Sequence, residues 1–370
     1  MLGHCYLSQQ IHNFFNLAFA AVDSKRRDPF ISPAVAFPTT PPRLYATGGQ
    51  TMSLLTELPI DLYAVNAFED FHPVRTFDLG TARALAWLSQ LAYETDQCKI
   101  NQLCQMLNLS PVGNQIVESV TTALPIADTK VLVLGFGGST LIAFAGTDPI
   151  SLANWVSDFD IKPTDGGAAE GFDTAMRAVE FDILSRLPPD GQVFVTGHSL
   201  GGALAVLLAD QLNTMGKSVT AVYTFGMPRP GRRNFADRYN ADPLANRTYR
   251  LVYGEDIVPT VAPSEPLGFR HVGQYLPVVR NEKFPASPNP DRSSDKPEFV
   301  RGVAKELADF FHGPVAAVAG RASQLQAVGN ALTGSPTSIA RSDLAGIFIE
   351  LLPLRIRDHM PDRYIAACSP

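Results

Sequence analysis

Residues 192–215 read QVFVTGHSLGGALAVLLADQLNTM: a short apolar run, the pentapeptide Gly197-His198-Ser199-Leu200-Gly201, then a long apolar stretch stopped by Gly216. The run from Gln192 to Thr196 reads as a buried strand, and Leu200 to Met215 as a helix ended by a glycine C-cap. A serine placed between strand and helix with glycines two before and two after it sits on a sharp, strained turn. Side chains at those two positions would collide with neighbouring backbone. Gly202 lets the helix pack closely on the strand. The free amides and positive dipole end of the helix N-terminus face developing negative charge at such a turn. Ser199 is therefore the candidate nucleophile.

The elements around this turn repeat the pattern. Val131 to Phe136 and Thr140 to Ala145 are two β-rich runs joined by Gly137-Gly138-Ser139, which reads as a hairpin. The glycines do not form a dinucleotide-binding turn, because such a turn must open a helix and this one opens a strand. Asp78 caps a helix running from about Thr81 to Glu94, with Ala82, Leu85, Leu88, Leu91 and Tyr93 at helical spacing. Phe172, Met176, Val179 and Ile183 give one face of another, over Gly171 to Leu187, broken by Pro188-Pro189-Asp190-Gly191. Val219 to Phe225 and Tyr249 to Tyr253 are further strands. Strands alternating with helices predict an α/β fold with a mostly parallel sheet covered on both faces.

A serine hydroxyl needs a base, and the base needs an orienting carboxylate. In such folds the partners follow the serine, acid first. Asp256 lies at the end of the strand Tyr249 to Tyr253, in Gly254-Glu255-Asp256-Ile257-Val258-Pro259, with Glu255 as rival. Three histidines come later: His271, His312 and His359.

These residues resemble the class 3 lipase family, the fungal-type triacylglycerol lipases of the α/β-hydrolase superfamily. The likeness rests on the elbow and on Phe144-Ala145-Gly146-Thr147, Asn154-Trp155, Glu170-Gly171-Phe172, Tyr223 to Gly231, Asp256-Ile257-Val258-Pro259, and Gly268 to Gly273. It covers about Leu79 to Tyr275 and a piece near Asp358 to Ile365. The resemblance implies an α/β-hydrolase fold with Ser199 as nucleophile, Asp256 as acid and His359 as base. It implies an oxyanion hole from the Thr147 and Leu200 amides. His271 matches a turn kept for structure, His312 ends an amphipathic helix, and His359 in Asp358-His359-Met360-Pro361-Asp362-Arg363-Tyr364-Ile365 is similar to the family's base-bearing loop. His198 is the variable elbow residue, expected to pack. The implied activity is hydrolysis of carboxylic esters, acylglycerols in the family's manner, through an acyl-enzyme, with no cofactor and no metal. A short-chain, feruloyl or phospholipid esterase on the same frame, and a catalytically silent hydrolase-fold protein that binds lipid or a partner, are the alternatives.

His359 follows Asp256 by 103 residues, about twice the family's usual interval, so a helical insertion over about 281–356 is expected, entered through the Pro-rich stretch Lys283 to Pro297. Val300, Val303, Leu307, Phe310 and Phe311 make an apolar stripe there, which predicts helices over about Phe299 to Leu352, either a lid at an active site or an ordinary subdomain. Residues 1–75 read as an N-terminal extension packed on a catalytic domain of 76–370.

Composition narrows the partners. A net charge of −6 without a basic cluster argues against nucleic acid, leaving a lipid or other ester substrate and transient contact with a lipid interface. The apolar patch Phe14 to Val22 lacks a preceding Lys or Arg, so it reads as a packed helix and not a signal peptide, which leaves the cytoplasm or secretion without cleavage. No stretch reaches the roughly 18 apolar residues of a membrane span. Cys5, Cys98, Cys104 and Cys368 show no zinc-ligand pairing and read as reduced thiols, with a Cys98–Cys104 bridge not indicated.

Overall fold

The computed structural model describes residues 57–120, 128–146, 167–262, 264–265, 267–288 and 354–370. The chain divides into two units, Met1–Leu55 with Glu306–Leu351 and Thr56–Lys305 with Leu352–Pro370; the described residues all belong to the second. Thr147, His312, Cys5, the apolar patch Phe14 to Val22 and the helices expected over Phe299 to Leu352 lie outside the described residues.

The second unit is built on a sheet of seven described strands in the order β1-β2-β3-β4-β5-β7-β9. These are β1 (Ser110–Val120), β2 (Asp128–Phe136), β3 (Ser139–Phe144), β4 (Gln192–His198), β5 (Val219–Phe225), β7 (Thr248–Tyr253) and β9 (Gln274–Val278). The hairpin β2–β3 is antiparallel with Phe136 opposite Ser139, as its two-glycine turn predicts. From β3 onward every neighbouring pair is parallel. A short pair, β6 (Gly231–Arg232) with β8 (Phe269–Arg270), stands apart.

Helices α1 (Leu79–Leu91) and α7 (Pro361–Cys368) share one apolar cluster with Phe194, Tyr223, Phe225, Leu251 and Tyr253 of the sheet. Helix α4 (Leu200–Thr214) packs on β4 and β5 and against α3 (Glu170–Leu184). The alternation of strand side chains thus feeds two layers, one on each face. Asp78 caps α1 through its carboxylate, which accepts from the Thr81 amide at 2.7 Å. Residues 57–77 are not mere surface trim: Tyr63, Phe68 and Phe71 are buried, with Phe71 edge-on to Phe194.

Helices α2 (Gln97–Met106) and α5 (Arg233–Ala241) complete the frame up to the C-terminal segment, where α6 (Leu354–Arg357) precedes α7. Cys98 and Cys104 both lie on α2, Cys98 exposed and Cys104 buried, and neither is in a disulfide, nor is buried Cys368. Among the described residues no helix is long and apolar enough to cross a membrane.

Candidate active site

Parallel strands place their C-terminal ends on one edge of the sheet, and loops leaving that edge bring distant side chains together. Ser199 leaves β4 there with φ 58° and ψ −132°, a backbone state that a non-glycine residue holds only when its surroundings force it. The forcing is visible. The Ser199 amide donates to the Phe225 carbonyl at 2.8 Å, and the Ser199 carbonyl accepts from the Gly202 amide at 2.9 Å. A Cβ on Gly197 would lie 2.2 Å from the Gly201 carbonyl, and one on Gly201 would lie 2.3 Å from the Phe144 carbonyl oxygen. The elbow therefore closes only with glycine at both positions, as its spacing predicts.

Asp256 leaves β7 on the same edge. Its Oδ1 accepts from the Val258 amide at 2.9 Å, which fixes the carboxylate plane. Its Oδ2 accepts from His359 Nδ1 at 2.8 Å and from the Tyr364 hydroxyl at 2.5 Å. Glu255 does not compete: its side chain is exposed and lies 3.6 Å from Arg355. His359 itself is buried, on the turn between α6 and α7. Because Nδ1 is held by a carboxylate, the ring presents Nε2 as its basic nitrogen.

Two polar atoms in this arrangement are left over. Ser199 Oγ and His359 Nε2 are both buried and neither has a hydrogen bond. Without a partner in the protein, both atoms are available to an incoming group. The Leu200 amide, at the start of α4, is one of the helix N-terminal donors without an intrahelical acceptor. Gly146 ends the β3 exit beside the elbow, where a Cβ would lie 2.5 Å from the His198 carbonyl oxygen and 3.0 Å from Ser199 Cβ. Thr147 follows it in the chain.

Two other described histidines, His271 and His198, are buried and hydrogen-bonded. His271 Nε2 donates to the Pro259 carbonyl at 2.7 Å, and burial beside Arg250 and Arg229 pushes its pKa well below the ordinary value. His198 does more than fill space. Its Nε2 lies 2.6 Å from the His359 carbonyl oxygen and so carries the proton, while Nδ1 accepts from Tyr93 Oη at 2.7 Å. The two imidazoles stack with centroids 4.5 Å apart. Burial first, and the neighbouring His359 second, hold the His198 pKa well below its usual value, which keeps it neutral in this role.

Sequence reasoning passed over Tyr364, Tyr93 and Asp358. Tyr364 is buried against Asp256, and burial together with that carboxylate raises its pKa well above the ordinary phenol, so it remains a donor. The one signal for it was its place in the segment Asp358 to Ile365. Tyr93 read only as the last apolar residue of its helical pattern, and it lies 105 residues from His198.

Residues 141–265 match the family model described as Lipase (class 3). The chain is 27% identical to the secreted mono- and diacylglycerol lipase MDL3 of Malassezia globosa over 47% of its own length and 64% of the relative. It is 30% identical to the secreted mono- and diacylglycerol lipase A of Penicillium cyclopium over 36% of its length and 46% of the relative. Among solved structures it is similar to the Rhizomucor miehei lipase propeptide complex, with 27% identity, a TM-score of 0.40, and coverage of 49% of this chain and 59% of that one. The matched region therefore spans less than two thirds of each of these relatives.

Proposed function

We propose that this chain is a serine carboxylic-ester hydrolase of the class 3 lipase type acting on acylglycerols, a reading supported by the match of residues 141–265 to that family's model and by the likeness to the two fungal relatives. The observation that carries the reading is the hydrogen-bonded pair of His359 and Asp256 at the sheet edge that also carries the strained elbow serine, with Ser199 Oγ and His359 Nε2 both buried and unbonded.

The chemistry follows from those groups. His359 Nε2 takes the Ser199 proton as Oγ attacks the ester carbonyl, and Asp256 stabilises the imidazolium that forms. The Leu200 amide, with the Thr147 amide as second donor, receives the oxyanion. His359 then passes its proton to the departing alcohol, leaving an acyl group on Ser199. Water, deprotonated by the same nitrogen, releases the fatty acid and restores the serine. His198, Tyr93 and Tyr364 hold the base and acid in place throughout.

Acylglycerols are supported as substrates by the family match and by the two curated relatives, which are named for that activity. Both relatives are also named as secreted, and export belongs to the same proposal, as does contact with a lipid interface during turnover. The test is fatty-acid release from emulsified mono-, di- and triacylglycerols by the wild type and by Ser199→Ala. Release by the wild type with loss of at least about a thousandfold in the variant is expected; release that survives the substitution overturns the assignment.

A further inference from the structure

Asp256 and His359 reach one another from chain segments separated by 103 residues, so sequence proximity does nothing to hold them in register. Beside the bonds from Tyr364 to the acid and from His198 to the base, a second carboxylate links the two segments, immediately before the base. The Asp358 side chain is 2% exposed. Its Oδ2 accepts from the Glu255 amide at 2.8 Å, and Glu255 directly precedes Asp256. Arg280, just beyond the end of β9, closes on the same group from the other side: Nε lies 2.8 Å from Oδ1 and a terminal nitrogen 2.6 Å from Oδ2. One carboxylate is thus covalently next to the base and hydrogen-bonded next to the acid.

The surroundings are shaped to admit it. Gly254 has φ +55°, and a Cβ there would lie 2.4 Å from Asp358 Oδ2, so the turn bearing the acid keeps its glycine and lets Asp358 in. The Gly254 amide donates to the Val278 carbonyl and the Asn281 amide donates to the Tyr253 hydroxyl, which seats the Arg280 end of the clamp on the same turn. The Asp358 amide donates to the Leu354 carbonyl at 2.8 Å, which fixes its backbone.

We propose that Asp358 is a positioning residue that sets the spacing of Asp256 and His359, with the Arg280 guanidinium as its fixed counter-charge. It touches no reacting atom. The forked guanidinium matters because two parallel bonds fix orientation as well as distance, which a point charge does not. The inference rests on the proposed triad.

The experiment compares Asp358→Ala, Asp358→Asn, Arg280→Ala and Arg280→Lys with the wild type on a soluble p-nitrophenyl ester. Active-site concentration comes from fluorophosphonate titration, and Ser199→Ala is the reference. Displacing the acid from the base by the better part of an ångström should lower kcat about 100-fold in Asp358→Ala, with KM nearly unchanged. The acid limb of the kcat/KM profile should move to lower pH, because an imidazole with a weaker carboxylate contact is less basic. Arg280→Lys should recover part of what Arg280→Ala loses. A merely structural role would lower thermal stability and leave the limb in place. Activity of Asp358→Ala within threefold of wild type per titrated site, or an unmoved limb, overturns the proposal. If Asp358→Ala does not fold, the half-exposed Arg280 pair decides by the same two criteria. An active Ser199→Ala would sink the triad itself, whereas a dead Ser199→Ala beside a normal Asp358→Ala removes the clamp alone.

Discussion

Gly226 follows β5 at φ +62°, and a Cβ placed there would lie 2.6 Å from Asp256 Oδ2 and 2.8 Å from His359 Nδ1. Gly226→Ala therefore inserts a methyl group against both partners of the acid–base hydrogen bond. Two costs follow and they can be separated. The left-handed backbone costs an alanine about 1–2 kcal/mol of stability. Restoring an ordinary contact of 3.4 Å from 2.6 Å also asks the carboxylate to retreat by about 0.8 Å. A misplacement of that size lowers turnover on the order of 100-fold, or about 2.7 kcal/mol of transition-state stabilisation. Gly216 supplies the control: its φ is +73° and nothing lies within 4 Å of its Cβ position. Gly216→Ala should pay the backbone cost alone and keep kcat/KM within about twofold of wild type. The assay is kcat/KM on a soluble p-nitrophenyl ester beside urea unfolding of each variant. Equal activity losses in the two variants, or a Gly226→Ala enzyme within threefold of wild type, would refute the reasoning.

Two further outcomes are expected. Tyr364→Phe removes the 2.5 Å bond to Asp256 Oδ2, leaving that oxygen to His359 alone; urea unfolding should show a loss of about 1.5–3 kcal/mol. The acid limb of kcat/KM should rise, since a carboxylate with one donor fewer holds the imidazolium more strongly; a limb that stays or falls makes Tyr364 a packing residue only. His198 and His271 are buried neutral with pKa values well below the ordinary one, whereas in the unfolded chain they titrate near about 6.5. The unfolded state then binds the extra protons, so their stability contribution is complete above that value. It is lost as pH falls below it, by about 1.4 kcal/mol per histidine for each unit. Urea melts at pH 7.5 and 5.5 should differ by roughly 3 kcal/mol, and a flat response would contradict the burial of the two rings as neutral groups.

The elbow was legible in the sequence because its physics is local: two glycines are required within a turn of backbone, and both are present around Ser199. The hairpin at Gly137-Gly138 and the Asp78 cap were legible for the same reason. Strands β1 and β9 were not. Both stand at the edges of the sheet, where Pro111 and Pro277 can be accommodated, and β1 shifts register between Pro111 and Ile116. Those features erase the alternation that marks a strand. Helices α2 and α5 also went unread: α5 is rich in polar residues and packs through Phe235, Ala236 and Tyr239 only. The site divides along the same line. Ser199, Asp256 and His359 carry motifs in their neighbours, whereas Tyr93, Tyr364 and Arg280 act across 105, 108 and 78 residues, where only the folded chain brings partners together.

The most direct test of Ser199 as nucleophile is the site of covalent capture. A fluorophosphonate is attacked at phosphorus by the activated hydroxyl, with fluoride leaving, and the adduct marks the residue that reacts. Peptide mapping by mass spectrometry should find one adduct, on Ser199, at a stoichiometry that matches the loss of ester hydrolysis, and none in Ser199→Ala. Full inactivation with the adduct on another residue, or a fully labelled Ser199 in an enzyme that still hydrolyses esters, would contradict the account.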